Sequence, residues 1–214
     1  MRGLGKSVSD IRNISVEELN SMKGYRFEKW VIKNTSIQIA SYYGKECRVK
    51  MGGDWIVREW RSDKSVPYSK NGTKIAMPIS SLAPDLMLEA TKDLYGKGGW
   101  RKGDVIFVEC KWRSSGYFSL EERKIKNYEF ALKRHFTKRK KKPLEHLFYV
   151  FGFGWDKDRG NPISAFCVPA TKLYYELFSG RRKTKYEFGI KQLELWGVPL
   201  IDEDNITYIR YKEK

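Results

Sequence analysis

The chain has 214 residues, of which 41% are hydrophobic and 14% aromatic, and this apolar content excludes an intrinsically disordered protein. Its formal net charge of +16 predicts a polyanionic partner. Nucleic acid is favoured over a membrane, because no apolar run approaches the roughly 20 residues that cross a bilayer and residues 1–7 lack the apolar stretch of a secretion signal. Three widely spaced cysteines and only two histidines argue against a zinc site and predict a reduced, intracellular, cytoplasmic protein.

The beginning of the chain contains helical patterns. Residues 1–13 are polar and predict a loose arm. Ser15–Glu18 has the form of a capping box and predicts a short helix to about Met22, with a break at Gly24. Apolar residues then recur at helical spacing and predict a second helix over residues 25–43.

The middle of the chain has patterns typical of strands. Residues 46–61 are strand-like around a turn at Gly52-Gly53, and residues 74–79 predict a short strand weakened by its proline. Residues 84–90 begin with a proline and then alternate apolar with polar side chains, which predicts another strand. A glycine-rich basic loop over residues 95–103 follows, and this short connection predicts that the strands on either side of it are neighbours.

The next strand, over residues 105–112, changes character along its length. It starts as a buried apolar run and then places Glu109 and Lys111 on the same face as Phe107. Charged residues at the end of a core strand are expected at functional sites, although the pair taken alone fits a strand end that reaches water better. Pairing with the preceding strand would bring Asp85 close to both charged residues.

The remainder of the chain combines helices, strands and two basic clusters, at residues 133–142 and 181–185. The predicted elements are a helix from Leu120 to about His135, strands over 147–151 and 163–168, helices over 171–178 and 187–197, and a final strand over 206–211. No internal repeat or linker stands out. We therefore expect one domain over residues 1–214, with a core at about 24–170 and with residues 171–214 packed on that core as a C-terminal extension.

Residues 24–152 resemble the PD-(D/E)xK nuclease superfamily. The resemblance is carried by Pro84-Asp85, by Glu109-Cys110-Lys111 and by Glu28 on the preceding helix. Within the superfamily the chain looks most like archaeal Holliday-junction resolvases and Mrr-type endonucleases, and it is also similar in size and basic character to small nucleases of archaeal viruses. The resemblance implies an α/β (α+β) fold of the restriction-endonuclease type. Its αβββαβ core contains a central mixed sheet flanked by helices, here with extra C-terminal elements, and a viral protein would act in the cytoplasm of its host.

The same resemblance implies the chemistry of the site. A metal-dependent hydrolase uses carboxylates to bind Mg²⁺, with Mn²⁺ as a substitute, and a lysine to stabilise charge at the phosphate. The implied catalytic residues are Glu28, Asp85, Glu109 and Lys111. The implied metal ligands are Asp85, Glu109 and the backbone carbonyl of Cys110, with Glu28 at a second metal. Glu89 and Asp104 remain open as alternative ligands or as solvated strand ends.

We therefore expect a metal-dependent DNA endonuclease that forms a homodimer and selects branched or junction DNA. The alternatives are a DNA-binding protein that keeps a nuclease-like fold without activity, and a basic scaffold protein with no nucleic-acid role. The basic loop is expected near the site, and no base-reading motif is present, so contacts to the DNA backbone are favoured. The candidate DNA-binding residues are Lys97, Trp100, Arg101, Lys102, Lys138, Arg139, Lys140, Lys141, Arg181 and Arg182.

Overall fold

The structure, a computed structural model, describes residues 16–33, 46–49, 55–60, 65–70, 73–78, 82–93, 100–133, 136, 142–156, 160–180, 184–200 and 207–210. The helices are α1 (Val16–Lys33), α2 (Glu122–Lys133), α3 (Ala170–Phe178) and α4 (Ile190–Trp196), with a 3-10 turn at Pro143–His146. The strands are β1 (Glu46–Val49), β2 (Trp55–Trp60), β3 (Ser65–Lys70), β4 (Thr73–Pro78), β5 (Leu86–Ala90), β6 (Val105–Arg113), β7 (Tyr117–Glu121), β8 (Leu147–Phe153), β9 (Ser164–Pro169), β10 (Lys185–Gly189), β11 (Val198–Pro199) and β12 (Thr207–Arg210).

A mixed sheet with the strand order β11-β9-β8-β6-β5-β2 forms the centre of the fold. Strands β2, β5 and β6 are antiparallel neighbours, whereas β6 and β8 are parallel. A parallel pair needs a long crossover, and α2 lies within that connection. Outside this sheet, β3 pairs with β4, β7 with β10, and β1 with β12.

The alternation of side chains along β6 divides the core into two layers. Ile106 and Val108 pack with apolar residues of α1 on one face of the sheet. Phe107 packs on the other face, with residues of α2, α3 and α4. The predicted assignment of alternate residues to opposite faces of this strand is confirmed, because a strand directs successive side chains to opposite sides.

Helix α1 approaches the sheet closely at Gly152 on β8. A Cβ atom added at Gly152 would lie 2.2 Å from the Phe27 ring, so any side chain at this position would displace that ring. Phe27 is fully buried, and the next residue on α1 is Glu28. The glycine therefore leaves room for the Phe27 ring of α1, the helix that also carries Glu28.

The predicted fold class is confirmed: a central mixed sheet is flanked by helices, in an arrangement consistent with a restriction-endonuclease-like fold. The order α1, β2, β5, β6, α2, β8 follows the predicted αβββαβ core, with the β3–β4 hairpin inserted after β2. Lys70 pairs with Thr73 in that hairpin, and the two residues between them lie outside the described part of the chain. The division into one domain and an extension stays a prediction. The described helices are each too short or too polar to cross a bilayer.

Several local predictions were wrong. One helix runs through Gly24, because a glycine lowers helix stability without forbidding the conformation. Strand β7 occupies residues 117–121, so α2 begins at Glu122 and not at Leu120. Residues 187–197 divide between β10 and α4. The arm at 1–13, residues 34–43 of the second predicted helix and the turn at Gly52-Gly53 lie outside the described residues.

Candidate active site

The β5–β6 hairpin brings Asp85 next to Glu109. Leu86 pairs with Val108 in antiparallel register, so the residue before Leu86 faces the residue after Val108. Asp85 is only 6% exposed, and its Oδ2 accepts a hydrogen bond from the backbone N–H of Cys110 at 2.7 Å. The expected pairing of these two strands is therefore confirmed.

The Cys110 carbonyl faces the same side of β6 as Asp85. A strand residue directs its N–H and its carbonyl to the same neighbour, and the Cys110 N–H already reaches Asp85. In the described register β5 begins at Leu86, so β6 extends past the end of its partner at this point. The backbone oxygen that the resemblance implied as a ligand thus lies on the side of β6 from which the Cys110 N–H reaches Asp85.

Glu109 is fully buried, and its two carboxylate oxygens have different surroundings. Oε1 accepts a hydrogen bond from the Tyr128 hydroxyl at 2.8 Å and contacts the Lys111 ammonium. Oε2 has no hydrogen-bond partner among the described residues. Because an unsatisfied carboxylate oxygen in a protein interior is costly, this atom indicates a position for a bound ligand.

Lys111 connects the buried carboxylate to the solvent. Its side chain is 23% exposed, and it follows Glu109 on the same face of β6. Burial lowers the pKa of Lys111, but the carboxylates of Glu109 and Asp85 more than offset this and leave the pKa above its ordinary value. The ammonium group is therefore charged at neutral pH.

The surroundings of Asp85 disfavour the ionised form of its carboxyl group. Burial and the neighbouring charges of Glu109 and Glu28 raise its pKa well above the ordinary value, although Lys111 and the Cys110 N–H act in the other direction. Two buried acids beside each other repel when both are ionised. A bound cation would relieve this repulsion.

Glu28 reaches the site from α1 and is held by β2. Its Oε2 accepts a hydrogen bond from the Trp60 indole Nε1 at 2.6 Å, and its charge raises the pKa of Asp85. Trp60 pairs with Leu86, the residue that follows Asp85. The indole of the edge strand β2 that binds Glu28 of α1 therefore lies on the strand next to Asp85. Glu28 is half-buried.

The oxygen-rich donor set fits a hard divalent cation. The Asp85 carboxylate, Glu109 Oε2 and the Cys110 carbonyl all supply oxygen, which Mg²⁺ and Mn²⁺ prefer. Within the described residues, no three side chains of histidine, cysteine, aspartate or glutamate converge into a ready metal-binding group. The fit therefore rests on two carboxylates with a backbone carbonyl, and Glu28 stands further from the pair.

The alternative ligands are engaged elsewhere. Glu89 accepts two hydrogen bonds from the Arg58 guanidinium, at 2.8 and 2.9 Å. Asp104 Oδ2 accepts a hydrogen bond from the backbone N–H of Arg101 at 2.8 Å and lies at the other end of the hairpin. Neither residue is brought to the Asp85–Glu109 pair.

The described part of the basic loop, residues 100–103, lies far from the pair, contrary to expectation. Its described residues adjoin the turn end of the hairpin. The stretch of β6 between this turn end and Glu109 is about 16 Å long at the ordinary rise of a strand. Trp100 packs against Trp55 and His146, with ring centroids 5.8 and 5.1 Å apart. Arg101 and Lys102 are exposed there. The other candidate DNA-binding residues lie outside the described part of the chain: Lys97, Lys138, Arg139, Lys140, Lys141, Arg181 and Arg182.

Two contacts were not anticipated from the sequence. Tyr128 is fully buried on α2 yet donates to Glu109, and Trp60 on β2 donates to Glu28. The only sequence signal for Tyr128 is its helical spacing with Ile125 and Leu132, which predicts a buried face where a hydroxyl needs a partner. Both residues orient a carboxylate, in the manner of the outer residues of metal sites.

No protein-family model and no curated protein matches the sequence. Among solved structures, the chain is similar to that of Hjc, a Holliday junction resolvase of the archaeal hyperthermophile Archaeoglobus fulgidus. The similarity covers 82% of this chain and 90% of that one, at 11% sequence identity and a TM-score of 0.37. At these values the likeness assigns neither a function nor a residue role to this chain.

Proposed function

We propose that the protein is a metal-dependent DNA endonuclease of the PD-(D/E)xK type. One observation carries the proposal: the buried Glu109 carboxylate binds Lys111 and Tyr128 through Oε1, while its Oε2 has no partner in the described part of the chain, on the strand that faces Asp85. A carboxylate used only to balance the lysine would not need burial beside a second acid. The arrangement suits a shared cation better than an ordinary ion pair.

Each residue of the site would have its own role in phosphodiester hydrolysis. Asp85, Glu109 and the Cys110 carbonyl would hold Mg²⁺, with Mn²⁺ as a substitute, and the cation supplies Lewis acidity and lowers the pKa of a bound water. Lys111 carries its positive charge to the solvent side of the pair, where it can stabilise a phosphate oxygen as negative charge develops. Glu28, held by Trp60, is suited to orient the attacking water or a second cation.

DNA is the substrate that we assign to this site. The formal net charge of +16 supports a polyanion, because lysine and arginine contacts to phosphates supply most non-specific affinity for DNA. We propose a homodimer that selects branched DNA, since two sites related by a two-fold axis would cut opposing strands symmetrically. Cys110 is a free buried thiol, which suits an intracellular enzyme.

A substrate panel tests the proposal. Single-stranded, duplex, flapped and four-way-junction DNA are incubated with the purified protein in Mg²⁺, Mn²⁺ or a chelator, beside the Glu109→Ala variant. We expect cleavage that needs a divalent cation and is lost in the variant. Equal cleavage by the variant would refute the assignment. Binding of DNA with a steep salt dependence and no cleavage of any substrate would instead support the inactive DNA-binding protein.

A further inference from the structure

An aromatic pair stands beside the candidate active site. The rings of Tyr25 on α1 and Trp60 on β2 are stacked, with centroids 5.0 Å apart and an interplanar angle of 16°. Tyr25 is 38% exposed, and Trp60 is half-buried beneath it. We call Tyr25 and Trp60 the aromatic platform. Trp60 also packs against the core layer that contains Phe27, whereas Tyr25 is not part of that layer.

The aromatic platform is attached to the site by direct contacts. Trp60 donates its indole N–H to Glu28 and pairs in register with Leu86, the neighbour of Asp85. The charge of Glu28 in turn acts on Asp85. A molecule stacked on Tyr25 would therefore lie next to the carboxylates and not on a remote surface.

Positive charge accompanies the exposed ring. The Lys29 ammonium lies over the Tyr25 ring, 4.6 Å from its centroid, so this exposed side chain has to move aside before a base can stack on that face. Arg26 and Lys29 are both exposed on α1. An aromatic ring with adjacent cations is the combination that binds single-stranded nucleic acid, in which bases stack on the ring and phosphates meet the cations. A base inside a continuous duplex has both faces covered by its neighbours and cannot stack in this way.

We propose that the aromatic platform stacks one unpaired base of the DNA strand whose phosphate enters the site. The inference rests on the proposed nuclease function and narrows its substrate class to DNA with unpaired nucleotides at the point of cleavage, such as a flap, a fork or an open junction. Lys29 then contacts a phosphate of the same strand. Continuous duplex DNA can bind through its backbone but leaves the platform empty.

The test compares binding of three DNA probes by the full-length protein in a chelator. The probes are a single strand, a duplex and a fork, each with the same fluorescent label, and the variants are Tyr25→Ala and Tyr25→Phe. We expect Tyr25→Ala to weaken binding of the single strand and the fork about tenfold, the scale of one lost base–aromatic stack, with little change for the duplex. Tyr25→Phe should retain the affinity, since it keeps the ring.

Tyr175→Ala serves as the matched control, because Tyr175 is 67% exposed on α3 and lies outside both core layers. It should leave all three affinities unchanged. An equal loss for duplex and single strand, or no loss in Tyr25→Ala, would overturn the inference. A change in the oligomeric mass of Tyr25→Ala would also overturn it, since the ring would then belong to a protein interface.

A spectroscopic reading separates this inference from the proposed function. 2-Aminopurine, placed at successive positions of the single strand, should lose fluorescence on binding at one position in the wild-type protein and not in Tyr25→Ala. This reading and the affinities need no cleavage. If the fluorescence change and the affinities are as expected while no substrate is cut, only the nuclease proposal is refuted. If a substrate is cut but these two results are not obtained, only the proposal for the aromatic platform is refuted.

Discussion

The two ends of the β5–β6 hairpin both bury an acidic residue, but only one of them resembles a site. At the turn end, Asp104 is 8% exposed and its carboxylate caps the backbone N–H of Arg101. At the open end, Glu109 is fully buried and one of its oxygens has no partner within the described chain. Burial of a carboxylate is thus not itself a sign of function. The sign is hydrogen-bonding capacity that the fold leaves unused.

The largest effect should follow from removing the charge of Glu109. Glu109→Gln keeps the shape of the side chain and can still accept from Tyr128, but it loses the anion that attracts a cation. We expect the cleavage rate to fall by about 10³-fold or more. The measurement is the single-turnover rate at saturating Mg²⁺.

Asp104→Asn is the matched change at the turn end of the hairpin, since it also replaces a buried carboxylate by an amide. It should leave the cleavage rate close to that of the wild type, because the amide oxygen can still cap the Arg101 N–H. A comparable loss of activity in both variants would remove the distinction between the two ends.

The next largest effect should come from Lys111. Lys111→Met keeps much of the length and bulk but removes the ammonium that contacts Glu109, and we expect a rate reduction of about 10²- to 10³-fold. Lys126→Met on α2 is the control, because it breaks an exposed ion pair with Glu122 whose atoms are 2.7 Å apart. If both variants lose activity equally, the charge of Lys111 has no special place in the reaction.

A smaller effect is expected from Tyr128, which acts through Glu109 and is therefore a positioning residue. Tyr128→Phe removes the hydroxyl that donates a hydrogen bond to Glu109, and it should raise the Mg²⁺ concentration for half-maximal cleavage about tenfold. The readout is a metal titration, which a general loss of stability would not shift in this way. Tyr174→Phe, which removes a hydroxyl bonded to Glu122 at 3.1 Å, should leave the titration unchanged.

The smallest effect is one of stability at the same end of the hairpin. Burial and neighbouring acids raise the pKa of Asp85 in the folded protein, so the ionised form destabilises the fold at neutral pH. In a chelator, Asp85→Asn should therefore increase the free energy of unfolding by about 1 kcal/mol at pH 7 while cleavage is lost. The Cys110 N–H can still donate to the amide oxygen.

The pH dependence of this gain in the free energy of unfolding follows from the upward shift of the Asp85 pKa. Below the ordinary aspartate pKa of about 4, Asp85 is protonated in both the folded and unfolded states, so variant and wild type should be equally stable. The difference in free energy of unfolding between variant and wild type should grow as the pH rises above that value, because Asp85 ionises at a lower pH in the unfolded wild type than in the folded protein. Denaturant titrations from pH 4 to 8 measure it, and a destabilised variant at pH 7 would contradict the electrostatic account.

Much of the site could be predicted from the sequence because its signals are local. The period of two along β6 placed Glu109 and Lys111 on one face, and the short connection before it made β5 its neighbour. The proline-led strand then supplied Asp85 opposite Glu109 by register alone. Residues 100–103 of the basic loop lie away from the site, contrary to the prediction, since an antiparallel hairpin puts its turn and its open end at opposite ends of the strands.

Contacts between distant elements were decided only by the tertiary structure. Whether Glu28 faces water or a site depends on how α1 packs on the sheet, and Gly152, far along the chain, leaves the space that the Phe27 ring of α1 fills. The donors Trp60 and Tyr128 reach their carboxylates across 32 and 19 residues of sequence. Sequence periodicity therefore determined which side chains share a face, because backbone geometry repeats within one element. Which faces meet depends on the packing of the whole core, and no single element carries that information.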